Sequence, residues 1–207
     1  MFLEMIKSIV LGIVEGISEW LPISSTGHMI LVNELINNTG GFTASDLYLY
    51  VIQLGAILAV VTLYFHKLNP FSPKKTNVEK ENTWKMWFKV IIACVPAAVI
   101  GLVLDNFMSA WENWQVVSAM LILYGVAFIV VESLHKETKI ESMDDMTYKT
   151  ALLIGLFQVL SIVPGTSRSG ATILGAMLIG CSRSVAAEFS FFLAIPVMFG
   201  VSLLKVL

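Results

Sequence analysis

The chain has 207 residues, 57% of them hydrophobic and only 14% charged, where a water-soluble domain carries about 25% charged residues. With a mean hydropathy of +0.80, this composition excludes an ordinary soluble domain. The net charge of −2 argues neither for nor against an anionic partner, and no nucleic-acid partner is expected.

Taken in order, the elements describe an all-α polytopic membrane protein. Barrel strands would alternate polar and apolar residues at period two, and these stretches do not. The start carries one lysine and reaches Glu15 without a small-residue cleavage site, so no cleaved signal peptide is expected. "LGIVEGISEWLPISSTGH" (Leu11–His28) opens as apolar helix, breaks at a Pro/Ser/Thr run and resumes as "MILV". Apolar stretches near the length that suggests a span follow at Leu47–Phe65, Val90–Leu104, Val116–Val131 and Val185–Leu204. A second break, "PGTSRSG" (Pro164–Gly170), precedes the last of them. Cys94 and Cys181 lie in or beside apolar stretches and read as small packing residues rather than a disulfide.

The connections differ in charge. Lys67–Lys89, read as a hydrophilic loop, holds Lys67, Lys74, Lys75, Lys80, Lys85 and Lys89, and Leu134–Lys149 holds three more lysines. Asn33–Asp46 and Asp105–Asn113 hold neither Lys nor Arg. These loops alternate along the chain, so the positive-inside rule places the lysine-bearing pair in the cytoplasm and the other pair outside.

Displacing the sequence by 143 residues lays Leu11–His28 without gaps on Ile154–Ala171: Gly12 meets Gly155, Glu15 meets Gln158, Ser18 meets Ser161, Ser24 meets Ser167, Thr26 meets Ser169 and Gly27 meets Gly170. The sequence therefore reads as one membrane domain, 1–207, built from a first repeat over 1–140 and a truncated second repeat over 144–207. Each repeat opens with a re-entrant helix-break-helix segment. The first is followed by a lysine-free loop and the second is preceded by a lysine-bearing one, so the repeats have inverted topology. Interrupted apolar segments at matching positions of two halves point to a site at the repeat interface. About four spanning helices are expected, three in the first repeat and one in the second. The shortfall corresponds to two helices, about sixty residues at roughly twenty per span plus loops.

Polar groups concentrate in the two breaks. Glu15 and Glu19 are four apart and share a helical face. Two carboxylates that close repel unless a divalent cation or a proton lies between them, and oxygen ligands favour Mg²⁺ or Ca²⁺. Ser24, Ser25, Thr26 and His28 supply hydroxyls and an imidazole beside them. In the second break Arg168, one of two arginines in the chain, lies among small residues at the start of a helix. Exposed amides, a favourable dipole end and a bidentate guanidinium make an anion site there, carried by Ser167, Arg168, Ser169 and Gly170. The competing readings are an acidic pair at the lipid–water interface and an arginine snorkelling to it. Gln53 and Glu188 lie in spanning segments as structural or supporting hydrogen bonders, and His66 and His135 sit at loop edges in solvent. Carboxylates, hydroxyls, a histidine and a phosphate cradle together describe phosphoryl transfer, and inside a membrane the substrate expected is a lipid phosphate.

"LGIVEGISEWLPISSTGH" and "PGTSRSG" together closely resemble the bacterial undecaprenyl-diphosphate phosphatases, the BacA bacitracin-resistance family, and the likeness extends through "VIQLGAILAVV" and "FFLAIPVMFG" over essentially the whole chain. The resemblance implies hydrolysis of undecaprenyl diphosphate to the monophosphate carrier at the outer face of the plasma membrane, with a divalent cation, Mg²⁺ or Ca²⁺. It places the family's acidic motif on Glu15 and Glu19 as metal ligands and catalytic groups. Its serine-rich stretch falls on Ser24, Ser25, Thr26 and His28, and its phosphate motif on Ser167, Arg168 and Ser169. Ser25 is the first choice of nucleophile with His28 assisting proton transfer; a water positioned by Glu19 or His28 is the other. Members of the family run some two helices longer. An oligomer is compatible with this reading. A transporter or lipid flippase, where inverted repeats with broken helices also occur, is the rival from another class.

Overall fold

The computed structural model describes residues 2–36, 43, 45–109, 111, 113–134 and 137–206, without the side chains of 46, 105–109, 205 and 206. His135 and most of the connection expected over Asn33–Asp46 lie outside the described residues. Among the described residues there are helices, turns and one isolated bridge, Ile140 to Cys181, and no strand.

The helices are α1 (Phe2–Ser18), α2 (Ser25–Leu35), α3 (Asp46–Leu63), the single turn α4 (Phe65–Leu68), α5 (Asn77–Ser109), α6 (Trp114–Ser133), α7 (Tyr148–Gln158), α8 (Arg168–Ile179) and α9 (Arg183–Val206). Their starts follow local chemistry. Ser45 accepts the Tyr48 N–H, Asn113 the Val116 N–H and Thr147 the Thr150 N–H, each satisfying a first-turn amide that has no intrahelical partner. α8 ends at Gly180 with φ 107°, the left-handed conformation that suits glycine after a last turn.

Among the described residues three helices are long and apolar enough to cross a membrane: Asn77–Leu104, Trp114–Ser133 and Arg183–Leu204. The protein is thus a multi-pass membrane protein. The span expected near 47–66 is the shorter apolar helix Leu47–Leu63; the chain bends at Tyr64 into α4. One expectation is corrected outright. Of the lysine-rich stretch Lys67–Lys89, only residues 69–76 are loop; its start lies in α4 and α5 takes up the rest. Thr76 Oγ1 accepts the Glu79 N–H at 3.3 Å while Glu79 Oε2 accepts the Thr76 N–H at 2.7 Å. This reciprocal capping box nucleates a helix that continues unbroken into the apolar span.

α1 shows how the molecule inverts the soluble pattern. Its buried stripe is Leu11, Glu15 and Ser18, while Leu3, Ile9, Ile13 and Ile17 are exposed. Apolar outside and carboxylate inside is the arrangement of a helix facing lipid on one side and a polar interior on the other. The main core joins α5, α7, α8 and α9 through Val90, Ala93, Ile154, Ala176, Phe189 and Phe192. Small residues let the backbones approach: a Cβ on Gly155 of α7 would lie 2.3 Å from the Ala93 carbonyl oxygen of α5, the small-residue contact of membrane helices. α8 lies against both α7 and α9, α3 packs on α9, α1 packs on α2 and α3, and α6 touches α2 and α8. Cys94 and Cys181 are free thiols packed with this core, as small apolar residues.

Candidate functional site

The first break lies between α1 and α2. Glu19 stands one residue past the end of α1, its N–H still donating to the Glu15 carbonyl at 2.9 Å, so both carboxylates keep to one face. Trp20 packs edge-on against Phe191 of α9, ring centres 5.2 Å apart. Ser24 then caps α2, accepting the Gly27 N–H at 3.3 Å. Its φ of 64° is a left-handed backbone that costs a non-glycine residue about 1–3 kcal/mol and recurs at functional sites. The next residue, Ser25, is buried.

The second break runs from the end of α7 through a 3-10 turn, Val159–Ile162, to the cap of α8 at Ser167, whose Oγ accepts the Gly170 N–H at 2.9 Å. Gly165, at φ 83°, would place a Cβ 2.5 Å from the Val117 Cα of α6, so only glycine lets the break pass that helix.

The two breaks touch. Arg168 Nη2 donates to Glu19 Oε1 at 2.5 Å across 149 positions of chain. The other oxygen, Glu19 Oε2, accepts the Ser25 hydroxyl at 2.6 Å. Ser169 Oγ, which also meets Ser167 Oγ at 3.1 Å, reaches the Leu21 carbonyl at 3.4 Å, and a Cβ on Gly170 would stand 3.1 Å from the Pro22 carbonyl. One carboxylate therefore holds a hydroxyl in one hand and a guanidinium in the other. The Arg168 and Glu19 side chains are each 14% exposed, enough burial for the pair to interact far more strongly than one in open water.

The rest of the expected set is distributed around this centre. Glu15 is buried, close enough to Glu19 and Ser25 to interact with both, and its Oε1 has no hydrogen-bond partner. His28 Nδ1 donates to the Ser24 carbonyl at 2.8 Å, which leaves Nε2 as the basic nitrogen. Among the described residues the partner of the Ser25 hydroxyl is Glu19, not His28. Thr26 is exposed and is not drawn into the Glu19 cluster. Ser24 and Ser167 spend their side chains on caps, and the Gly170 amide expected to face a phosphate is taken by Ser167. Glu188 pairs with Lys67 of α4 at 2.5 Å, Gln53 is half-buried in α3, and His66 is exposed.

Sequence reasoning missed two parts. Arg168 Nη1 donates to the Ser190 carbonyl of α9 at 3.0 Å, and Nη2 also meets Met198 Sδ at 3.4 Å. Below it, Thr172 Oγ1 and Ser190 Oγ lie 2.7 Å apart, both fully buried. The only signal was a serine within the apolar run "FSFFLAIPV". A backbone carbonyl leaves no trace in a sequence.

A metal can be tested against the donors present. Among the described residues no group of three or more His, Cys, Asp or Glu converges, so a closed protein cage does not fit. Mg²⁺, however, is commonly held through one or two carboxylates with the remaining positions left to water and substrate phosphate. Glu15, with its orphaned oxygen, and Glu19 fit that kind of site. A buried carboxylate oxygen without a partner is costly, and a cation there removes the cost.

Comparison with known proteins gives consistent relatives. The family model "Bacitracin resistance protein BacA" matches residues 8–207. A protein of Enterococcus faecalis named undecaprenyl-diphosphatase is 60% identical over 209 residues, covering 100% of this chain and 76% of its own length. Proteins of the same name from Limosilactobacillus fermentum and Streptococcus thermophilus are 60% and 58% identical over 206 residues, each covering 98% of this chain, and 75% and 72% of their own lengths.

Proposed function

The chain belongs to the bacitracin resistance protein BacA family, and from that premise we infer that it is a membrane phosphatase that hydrolyses undecaprenyl diphosphate to undecaprenyl phosphate and inorganic phosphate, the reaction for which its relatives are named. Such an activity recycles the lipid carrier of cell-wall synthesis and confers bacitracin resistance. The observation that carries the reading is the Glu19 carboxylate bonded at once to Ser25 and Arg168. A nucleophile, its base and an anion-binding guanidinium then meet at one point, which is what phosphoryl transfer requires. The relatives carry a diphosphatase's name, so the transporter or flippase reading has no support among them.

The chain's own groups suit a two-step displacement. Glu19 Oε2 takes the Ser25 proton as Ser25 Oγ bonds to the terminal phosphorus and the bond from that phosphorus to the bridging oxygen breaks. Undecaprenyl phosphate leaves. Water then attacks the phosphoserine, giving up its proton toward His28 Nε2, the proton held by Glu19 returns to Ser25 Oγ as its bond to phosphorus breaks, and inorganic phosphate departs with Ser25 restored. Arg168, steadied by the Ser190 carbonyl, meets the phosphate oxygens with its forked donors, and its present contacts occupy at most three of its five N–H groups. Ser169 and the first-turn amides of α8 lie beside it, with Ser24, Thr26, Ser167 and Gly170 shaping the two tips. Glu15 and Glu19 would hold Mg²⁺ or Ca²⁺, which when bound supplies charge neutralisation for the phosphates.

The same reading takes the two helix-break-helix segments as re-entrant halves of an inverted repeat in the bacterial plasma membrane, with the site open to the external side. The matched caps Ser24 and Ser167, each three residues before a glycine whose amide it accepts, support the repeat. The lysine bias of the connections supports the orientation. The decisive experiment is phosphate release from undecaprenyl diphosphate by the purified protein in micelles, with and without chelator. Turnover that stops with chelator and returns with Mg²⁺ or Ca²⁺ is expected. A protein that binds the lipid diphosphate and releases no phosphate would overturn the assignment.

A further inference from the structure

We propose that Glu19 is exchanged between Arg168 and a divalent cation, so that the cation binds together with the diphosphate and not ahead of it; the inference rests on the phosphatase reading above. In the structure Glu19 Oε1 is already committed to Arg168 Nη2 at 2.5 Å, and both side chains are largely buried. A cation approaching Glu19 must either share the carboxylate with a guanidinium of like charge or displace it. Glu15, its Oε1 without a partner, is the remaining carboxylate of the cluster, and one carboxylate is a weak site for a cation that dehydrates reluctantly.

Charge arithmetic favours joint entry. Glu15, Glu19 and Arg168 sum to −1 when all are ionised, so a divalent cation alone takes the cluster to +1. A diphosphate alone adds about two to three negative charges beside two carboxylates, the like-charge crowding that burial makes expensive. The cation offsets the diphosphate's charge, and the diphosphate draws Arg168 away from Glu19 for the cation. The geometry allows the exchange with little motion: Nη1 stays on the Ser190 carbonyl at 3.0 Å while Nη2 changes partner from Glu19 to a phosphate oxygen. Oε1 is then free for the cation, and Oε2 keeps the Ser25 hydroxyl at 2.6 Å. The resting ion pair thus weakens each site toward either ligand singly, and the coupling must be reciprocal.

The test is equilibrium binding rather than turnover. Mn²⁺, an oxygen-seeking stand-in for Mg²⁺, is titrated into the full chain in detergent and free Mn²⁺ is read by electron paramagnetic resonance. The titration is run with and without a prenyl methylenediphosphonate, which cannot be hydrolysed, and Mn²⁺ held by the analogue in protein-free micelles is subtracted. The analogue should tighten Mn²⁺ binding by about tenfold or more, and Mn²⁺ should tighten analogue binding by the same factor. In Arg168→Gln, where Glu19 is released, Mn²⁺ should bind the analogue-free protein about tenfold more tightly than wild type. Mn²⁺ affinity in wild type that ignores the analogue overturns the exchange and leaves the phosphatase reading standing. Equal Mn²⁺ affinity of wild type and a folded Arg168→Gln overturns it too. No Mn²⁺ bound under any condition overturns the exchange together with the metal, while phosphate release remains the separate measure of the enzyme.

Discussion

The two breaks share a backbone plan and divide the chemistry between them. In each, a short helix ends, a serine caps the next helix by accepting the amide three residues on, and a glycine provides that amide. The side chains at matching positions differ. Glu15 corresponds to Gln158, Glu19 to Ile162, Ser25 to Arg168 and His28 to Ala171. One tip carries carboxylates and a hydroxyl and the other a guanidinium. Ser25 and Arg168 align when the sequence is displaced by 143 residues, and they bond to the two oxygens of one carboxylate. Two segments with one backbone plan can therefore build an asymmetric site when they meet.

The largest effect is expected at the residue that joins the tips. Glu19→Gln keeps the shape and loses the charge that orients Ser25 and Arg168, so phosphate release should fall by about 10³-fold or more, the scale at which cooperating catalytic groups fail. The protein should still insert into membranes. Near-normal release from Glu19→Gln would detach the acidic tip from the chemistry.

Next come the residues at equivalent places. Ser25→Ala should remove turnover by a comparable factor while the affinity for a non-hydrolysable diphosphate changes less than about threefold, since the hydroxyl acts in the transition state. Substantial turnover in Ser25→Ala would make water the nucleophile and reduce Ser25 to positioning. Arg168→Lys keeps charge but not the planar fork, and a loss of about 10²-fold in kcat/KM is expected. A silent Arg168→Lys would mean that the second tip offers only a point charge.

A smaller contrast is structural. Gly155 and Gly12 align at the same 143-residue displacement, yet a Cβ on Gly155 meets the Ala93 backbone while one on Gly12 meets nothing within 4 Å. Gly155→Ala should cost about 1–3 kcal/mol by overpacking, read as a lowered unfolding temperature in detergent, and Gly12→Ala should be neutral. The smallest effect is expected at Gln158, buried with neither amide atom hydrogen-bonded. Gln158→Leu removes an unsatisfied polar group and should leave stability unchanged or raised, with phosphate release within about threefold, whereas Glu15→Gln at the matching place should lose most activity. A large loss of turnover in Gln158→Leu would show that the chemistry is shared more evenly.

What was legible in the sequence was what local patterns encode. Apolar runs marked α5, α6 and α9 because a membrane span needs length and hydropathy and little else. The breaks were visible because Pro, Gly and Ser interrupt those runs, and Glu15, Glu19 and Arg168 stood out because charge is scarce in such segments. The start of α5 reads as loop although "TNVE" spells its capping box, since three lysines over Asn77–Lys89, with Lys74 and Lys75 just before them, give the stretch a loop's composition.

By itself, then, the sequence determined a helical membrane protein with two polar interruptions and named nearly every residue of the acidic and cationic tips. Tertiary structure decided which of them meet. That Glu19 is the hinge between Ser25 and Arg168, that His28 bonds its own turn, that Thr26 faces outward and that a Ser190 carbonyl steadies the guanidinium all depend on α8 lying between α7 and α9 and bringing its N-terminus against the end of α1. Hydropathy and cap chemistry act over a few residues and can be read in order. A contact across 149 positions exists only once close helix packing at Gly155, and the close passage of Gly165 by α6, have brought the two breaks together.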